Sequence, residues 1–173
     1  MIALLLALST AGMTSGCTVS TARNDEAQAT GVRYVLVRHA EKANDDPKDP
    51  ELTTAGHERA RRLADLLEGE RVVAVYATEY RRTRLTAEPT AARHRLAILS
   101  YAASNGAEAF ARQLRAAHHV GTVLIVGHSN TIGQIASALC VCVIEPLRDD
   151  EYDRLIEIHP AATGDTRVSQ RRY

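Results

Sequence analysis

The chain has 173 residues, 21 basic against 21 acidic side chains and a pI near 7.1, which suits one globular domain and leaves no electrostatic footprint for a nucleic acid or other polyanion. Hydrophobic residues make up 45% and charged residues 24%, enough apolar material for a single core and too much for a disordered chain. With 28 Ala, 19 Arg, 2 Lys, seven aromatics and no Trp, the core must be built from Ala, Val, Ile and Leu, and stacking-type binding sites are not expected.

Residues 2–8 (IALLLAL), followed by small and polar residues and then Cys17, have the order of an apolar signal segment leading to a cleavage site. The run is far shorter than the roughly 20 apolar residues of a membrane span, and no charged residue precedes it. The stretch TSGC resembles a bacterial lipoprotein signal, with Thr14 standing where Leu is usual. That resemblance implies that 1–16 is removed, that Cys17 is acylated and that 17–31, polar and aperiodic, tethers the domain. The expectation is a bacterial envelope location, anchored only through a lipid on Cys17; a cytoplasmic protein with an apolar N-terminus is the alternative.

From 32 to 160, short β-branched runs alternate with amphipathic patterns, which predicts an α/β domain: a three-layer α/β/α sandwich around a mostly parallel central sheet. The first strand is 33–37. After a loop rich in Asp and Pro, a helix starts at Thr53 or Thr54, buries Ala60, Leu63, Ala64 and Leu67, and ends at Gly69. The strand 72–76 is apolar throughout, as a strand buried on both faces should be. A helix over 81–92, a strand over 96–99 and a loop through Ser104, Asn105 and Gly106 follow, then a helix over 107–118 with Phe110, Leu114 and Ala117 as its buried stripe. The clearest strand is 122–126 (TVLIV), ending in Gly127, His128 and Ser129 before a helix over 131–139.

Cys140 and Cys142 read as small buried hydrophobes beside the sheet, with a copper site or a redox pair as the sharper alternatives. Three cysteines are too few for a disulfide scaffold and lack the spacing of a zinc site. The acidic run 149–153 (DDEYD) reads as a solvated turn before a last strand over 155–159, and 161–173 as a loose C-terminal tail.

Two histidines share an informative setting, His39 after the first strand and His128 after the TVLIV strand. In open α/β sheets, ligand sites collect beyond the carboxyl ends of strands. With Arg38 before the first and Arg82 opening the helix after the second strand, the pocket is positive and suits a phosphate, whose oxygens pair with guanidinium groups and helix N-termini.

VRHAEK at 37–42, LTTAG at 52–56, YATEYRRTRLTAEP at 76–89 and VGHSNT at 126–131, in this order, resemble the histidine phosphatase superfamily, also called the phosphoglycerate-mutase-like family. The resemblance covers 33–159. It implies that His39 is the nucleophile that accepts the phosphoryl group, while Arg38, Arg82 and His128 hold its oxygens, with Ser129 a further substrate-binding residue. The chemistry agrees: a neutral imidazole attacks near pH 7, and a phosphoenzyme splits one hard displacement into two easier ones. Neither a cofactor nor a metal is expected, and His118 and His119 read as exposed. Arg82 is preferred to Arg81 and Arg84 by the family's arginine-threonine pattern; the other two read as solvated charges, Arg81 also as a screen at the pocket mouth.

The chain departs from the family at Ala40, where glycine is usual, a change tolerated unless the position needs a positive φ. No Asp or Glu lies between Pro89 and Ala107, so Glu108 is the first candidate for the acid that protonates the leaving oxygen, or merely favours a helix dipole. Glu41, Asp45, Asp46, Asp49 and Glu51 are further candidates. Without a placed acid, substrates with good leaving groups are favoured, because proton donation is typically worth about 10²–10⁴-fold. The expectation is a metal-independent phosphatase acting through a phosphohistidine on His39, on a small phosphorylated substrate or a phosphorylated envelope component. A phosphate-binding or sensory envelope domain without turnover is the alternative.

Overall fold

The computed structural model describes residues 31–161 and 166–173; the expected signal segment, Cys17 and the tether up to residue 30 lie outside them. Six strands are present, β1 (Val32–Arg38), β2 (Val72–Ala77), β3 (Ile98–Ser100), β4 (Gly121–Gly127), β5 (Arg154–His159) and β6 (Arg167–Arg172). The helices among the described residues are α1 (Thr54–Leu66), α2 (Arg81–His94), α3 (Ala107–Ala117) and α4 (Ser129–Cys140). None is long and apolar enough to cross a membrane.

The sheet order is β3-β2-β4-β1-β5-β6. The first four strands run parallel and the last two antiparallel to their neighbours. β1 and β4 lie at the centre, where both faces are covered, which is why they read as unbroken apolar runs and not as alternations. One face carries Tyr34, Leu36, Val123 and Ile125 against Phe110 and Leu114 of α3 and Ile132 and Ile135 of α4. The other carries Val35, Val37, Leu124 and Val126 against Leu63 of α1 and Ala87 and Ala91 of α2. This is the expected three-layer α/β/α sandwich. In α3 the buried stripe is Phe110, Ala111 and Leu114, with Ala117 exposed.

Thr53 caps α1, its hydroxyl accepting from the Gly56 N–H at 3.1 Å. Gly56 itself admits the loop that follows β1: a Cβ there would run into the Glu41 carbonyl oxygen and lie 3.1 Å from Leu52 Cβ. The first turn of α1 thus sits directly on the chain leaving the site, and any larger residue pushes that chain away.

The C-terminal segment is not a loose tail. Residues 167–172 form β6, paired in register with all of β5. Its sequence, RVSQRR, carries no apolar alternation because it is a sheet edge; charge holds it instead. Arg171 donates to Glu157 at 3.0 Å and Arg172 to Asp153 at 2.6 Å. Edge strands of this kind discourage pairing with other chains, and their hydrophilicity hides them from a hydrophobic pattern.

Candidate active site

β1 ends at Arg38, and the His39 N–H donates to the Gly127 carbonyl at 2.9 Å, so the two central strands deliver His39 and His128 side by side. Their rings meet edge to face with centroids 5.5 Å apart. Gly127, just before His128, has no room for a side chain: a Cβ would stand 2.5 Å from the Tyr101 hydroxyl and 2.9 Å from Ile132 Cδ1. A pocket of about 580 Å³ opens above these strand ends and is lined by Arg38, His39, Arg82, His128 and Ser129. The N-terminus of α4, the positive end of its dipole, faces the same space.

The protonation of His39 follows from its one hydrogen bond. Nδ1 lies 2.8 Å from the Ala40 carbonyl oxygen, which can only accept, so Nδ1 carries the proton and Nε2 keeps its lone pair. Burial, followed by the positive neighbours Arg38, His128 and Arg82, lowers the His39 pKa to about 3 against the opposing effect of the Ala40 bond. Ala40 has no positive φ, and its N–H donates to Thr86 Oγ1 at 2.9 Å. The smallest side chain above hydrogen is accommodated there.

His128 Nε2 stands 3.0 Å from Thr78 Oγ1, which is 2.8 Å from Thr83 Oγ1, which donates to the Tyr80 carbonyl at 2.7 Å. Each hydroxyl has one proton and the chain ends on an acceptor, so the proton nearest the histidine is its own Nε2–H. His128 is therefore a donor where His39 offers a lone pair. Burial first, then Arg82, lowers its pKa to about 4.

These directions set a pH dependence. Both imidazoles are protonated less readily in the folded chain than in the unfolded one, where the value is near 6.5. Their contribution to stability is complete above pH 6.5 and is lost as pH falls through their folded values. The ring resonances of His39 and His128 in NMR are expected to stay those of neutral imidazole from pH 8 to pH 5; a titration near 6.5 for either contradicts this burial.

Arg38 is 5% exposed. Its guanidinium donates to the carbonyls of Arg148 and Asp149 at 3.1 and 2.7 Å and lies 4.2 Å above the Tyr152 ring, while its Nε–H is buried without a partner. Arg82 lies 4.3 Å above the Tyr80 ring and 3.8 Å from Asp49. Each arginine thus rests on a tyrosine, so stacking does operate here, between protein groups. The sequence singles out neither tyrosine: Tyr80 lies within the 76–89 motif with no role attached to it, and Tyr152 in the acidic run that reads as a solvated turn. Both lysines of the chain, Lys42 and Lys48, also line this pocket.

The carboxylates separate into groups. Glu41 is ionised and structural: burial acts to raise its pKa, yet hydrogen bonds from Arg59 hold it below the ordinary range. Asp46 caps its own loop through the N–H groups of Lys48 and Asp49. Asp45 and Glu51 pair with Arg81, and Asp49 accepts from the Arg81 N–H. Arg81 therefore clamps the 45–51 loop, while Arg84 reaches Ser100 at 3.4 Å. Glu108, in the first turn of α3, lines an adjoining groove and not the pocket of Arg38 and His39. Asp149 does line the pocket and accepts from Ser129 Oγ at 3.1 Å; the acidic run concealed it.

Cys140 and Cys142 are not a pair of buried hydrophobes. They form a disulfide across Val141, with Cys140 buried and Cys142 exposed.

Residues 34–104 match the model of the histidine phosphatase superfamily (branch 1). No curated protein matches the chain. Among solved structures, the protein histidine phosphatase SixA complexed with tungstate is 18% identical with a TM-score of 0.63, covering 81% of this chain and 96% of that one. A mycobacterial glucosyl-3-phosphoglycerate phosphatase is 13% identical with a TM-score of 0.58, covering 80% and 97%. A phosphoserine phosphatase mutant from Entamoeba histolytica, in complex with phosphoserine, is 13% identical with a TM-score of 0.57, covering 80% and 95%. At these identities the likeness is one of fold, and the three act on different phosphorylated compounds.

Proposed function

We infer that this chain, which matches the histidine phosphatase superfamily over residues 34–104 and has the fold of that family's solved structures, is a phosphatase that works through a phosphohistidine on His39. The observation that carries the reading is the convergence of a lone-pair nitrogen on His39 with the guanidinium groups of Arg38 and Arg82 and the ring of His128 in one pocket. His39 Nε2 attacks phosphorus and the ester oxygen leaves; water then attacks the phosphohistidine, releasing inorganic phosphate and restoring the imidazole. The guanidinium groups of Arg38 and Arg82 neutralise the charge that spreads over the three equatorial oxygens, beside the His128 ring, whose Nε2–H is held by Thr78 Oγ1. None of these steps uses a cofactor or a metal.

Two carboxylates flank Ser129, Asp149 inside the pocket and Glu108 in the groove beside it. We assign the protonation of the leaving oxygen to Glu108, which lines the groove that shares Ser129 and Asn130 with the pocket. The compartment we favour is the bacterial envelope, attached through Cys17, and the disulfide between Cys140 and Cys142 supports an oxidising location. The physiological substrate there is a small phosphate ester or a phosphorylated envelope component.

The test is hydrolysis of 4-nitrophenyl phosphate and of a simple alkyl phosphate by the full chain in the presence of a chelator. Turnover of the aryl ester is expected, and its absence overturns the phosphatase reading. Glu108→Gln is expected to slow the alkyl ester by about 10²-fold or more and the activated aryl ester far less. Equal slowing of the two, or a selective loss in Asp149→Asn instead, removes Glu108 as the acid.

A further inference from the structure

A second cavity, of about 780 Å³, adjoins the phosphate pocket and shares Ser129 and Asn130 with it. From that junction it follows α4 past Gly133 and Ser137, a helix of 12 residues that rises roughly 18 Å. The far rim is Val141 and Val143, each 88% exposed and two of the four large apolar side chains exposed among the described residues. Val141 also holds φ 55°, a left-handed conformation that β-branched residues rarely adopt. Glycine or asparagine is the ordinary choice where a helix ends this way. Here a valine stands in that position, bracketed by the Cys140–Cys142 disulfide. Paired exposed valines on the lip of a concave, ligand-sized space mark a binding surface.

The two cavities are opposite in character. The phosphate end gathers Arg38, Arg82, Lys42 and Lys48 around the single acidic residue Asp149, whereas among the described residues Glu108 is the only charged one lining the groove. An occupant that fits both is anionic at one end and apolar along the rest. We propose that the groove holds the leaving-group body of the substrate, an extended alkyl or acyl chain carried on the phosphate. This rests on the phosphatase reading above and names its substrate class: a phosphorylated amphiphile, not a sugar phosphate or a phosphoprotein. The bond to phosphorus then lies over Ser129 and Asn130, beside Glu108.

Alkylphosphonates, which bind without being hydrolysed, test this as inhibitors of 4-nitrophenyl phosphate turnover by the full chain. Each methylene buried in the groove is worth roughly fourfold, so the inhibition constant is expected to fall at least about a hundredfold from ethyl- to octylphosphonate. Val143→Asp is expected to raise the octyl constant at least about tenfold more than the ethyl constant, since it sets a charge on the apolar rim. Constants that do not change with chain length overturn the proposal while turnover of the aryl ester leaves the phosphatase reading standing. If there is no turnover, that reading falls, and calorimetric titration with the same two phosphonates decides the groove alone: a hundredfold gap supports it and equal affinities overturn it. A Val143→Asp variant that breaks a dimer in sedimentation and has the chain-length dependence of the parent also overturns it, because the rim then covers a second copy.

Discussion

His39→Ala abolishes turnover, with an expected loss of about 10⁴-fold or more, because the phosphoryl group has no other nucleophile to receive it. The fold survives the change. His39 makes one side-chain hydrogen bond, to its neighbour's carbonyl, and the backbone N–H that ties it to Gly127 is retained. Arg38, Arg82 and His128 remain in place, so the variant still binds inorganic phosphate, which calorimetry reads directly. Steady-state hydrolysis and a rapid acid-free quench followed by intact-mass measurement give the second half: the parent chain carries a phosphate adduct and the variant does not. A variant that turns over at the parent's rate, or that still carries the adduct, places the nucleophile elsewhere.

Arg82→Ala comes next in size, with kcat/KM reduced by roughly 10²–10³-fold, the range for removing one preorganised donor at a developing oxyanion. Arg82→Lys recovers little of it, because an ammonium cannot reproduce the planar fork and does not rest on the Tyr80 ring in the same way. Arg38 is the less clean choice. Its guanidinium also holds the carbonyls of Arg148 and Asp149, so its loss releases the loop that carries Tyr152 as well as a phosphate ligand. Parallel kinetics of Arg82→Ala and Arg82→Lys check the prediction, and a lysine variant within a few-fold of the parent contradicts it.

The parts of the molecule that the sequence announces are those where burial alone dictates residue type. β1, β2 and β4 are covered on both faces, so their apolar runs stand out, and the ligand-bearing residues follow them at the strand ends. Arg82 was distinguishable from Arg81 only through the resemblance; what separates them in space is that Arg81 is taken up by Asp45, Asp49 and Glu51. β6 was illegible because its partners are a β5 backbone and two carboxylates, neither of which leaves a periodic trace. Tyr80, Tyr152 and Asp149 were illegible for a related reason: their importance lies in whom they touch across the sheet ends, and distant contacts are not written in local pattern. The disulfide was obscured by its own setting, since ALCVCVIEP is as good a description of buried packing as of a cross-link.

The distribution of the chain's two kinds of base has a practical side. Among the described residues every ion pair takes an arginine as its base, while the only two lysines of the sequence, Lys42 and Lys48, both line the pocket of His39. Apart from the α-amino group, amine-directed acylation therefore has its targets at the site mouth and nowhere else in the molecule. A fluorophore or cross-linker attached through ordinary lysine chemistry becomes a site-directed label without any engineered residue, and protection by phosphate becomes a readout of occupancy.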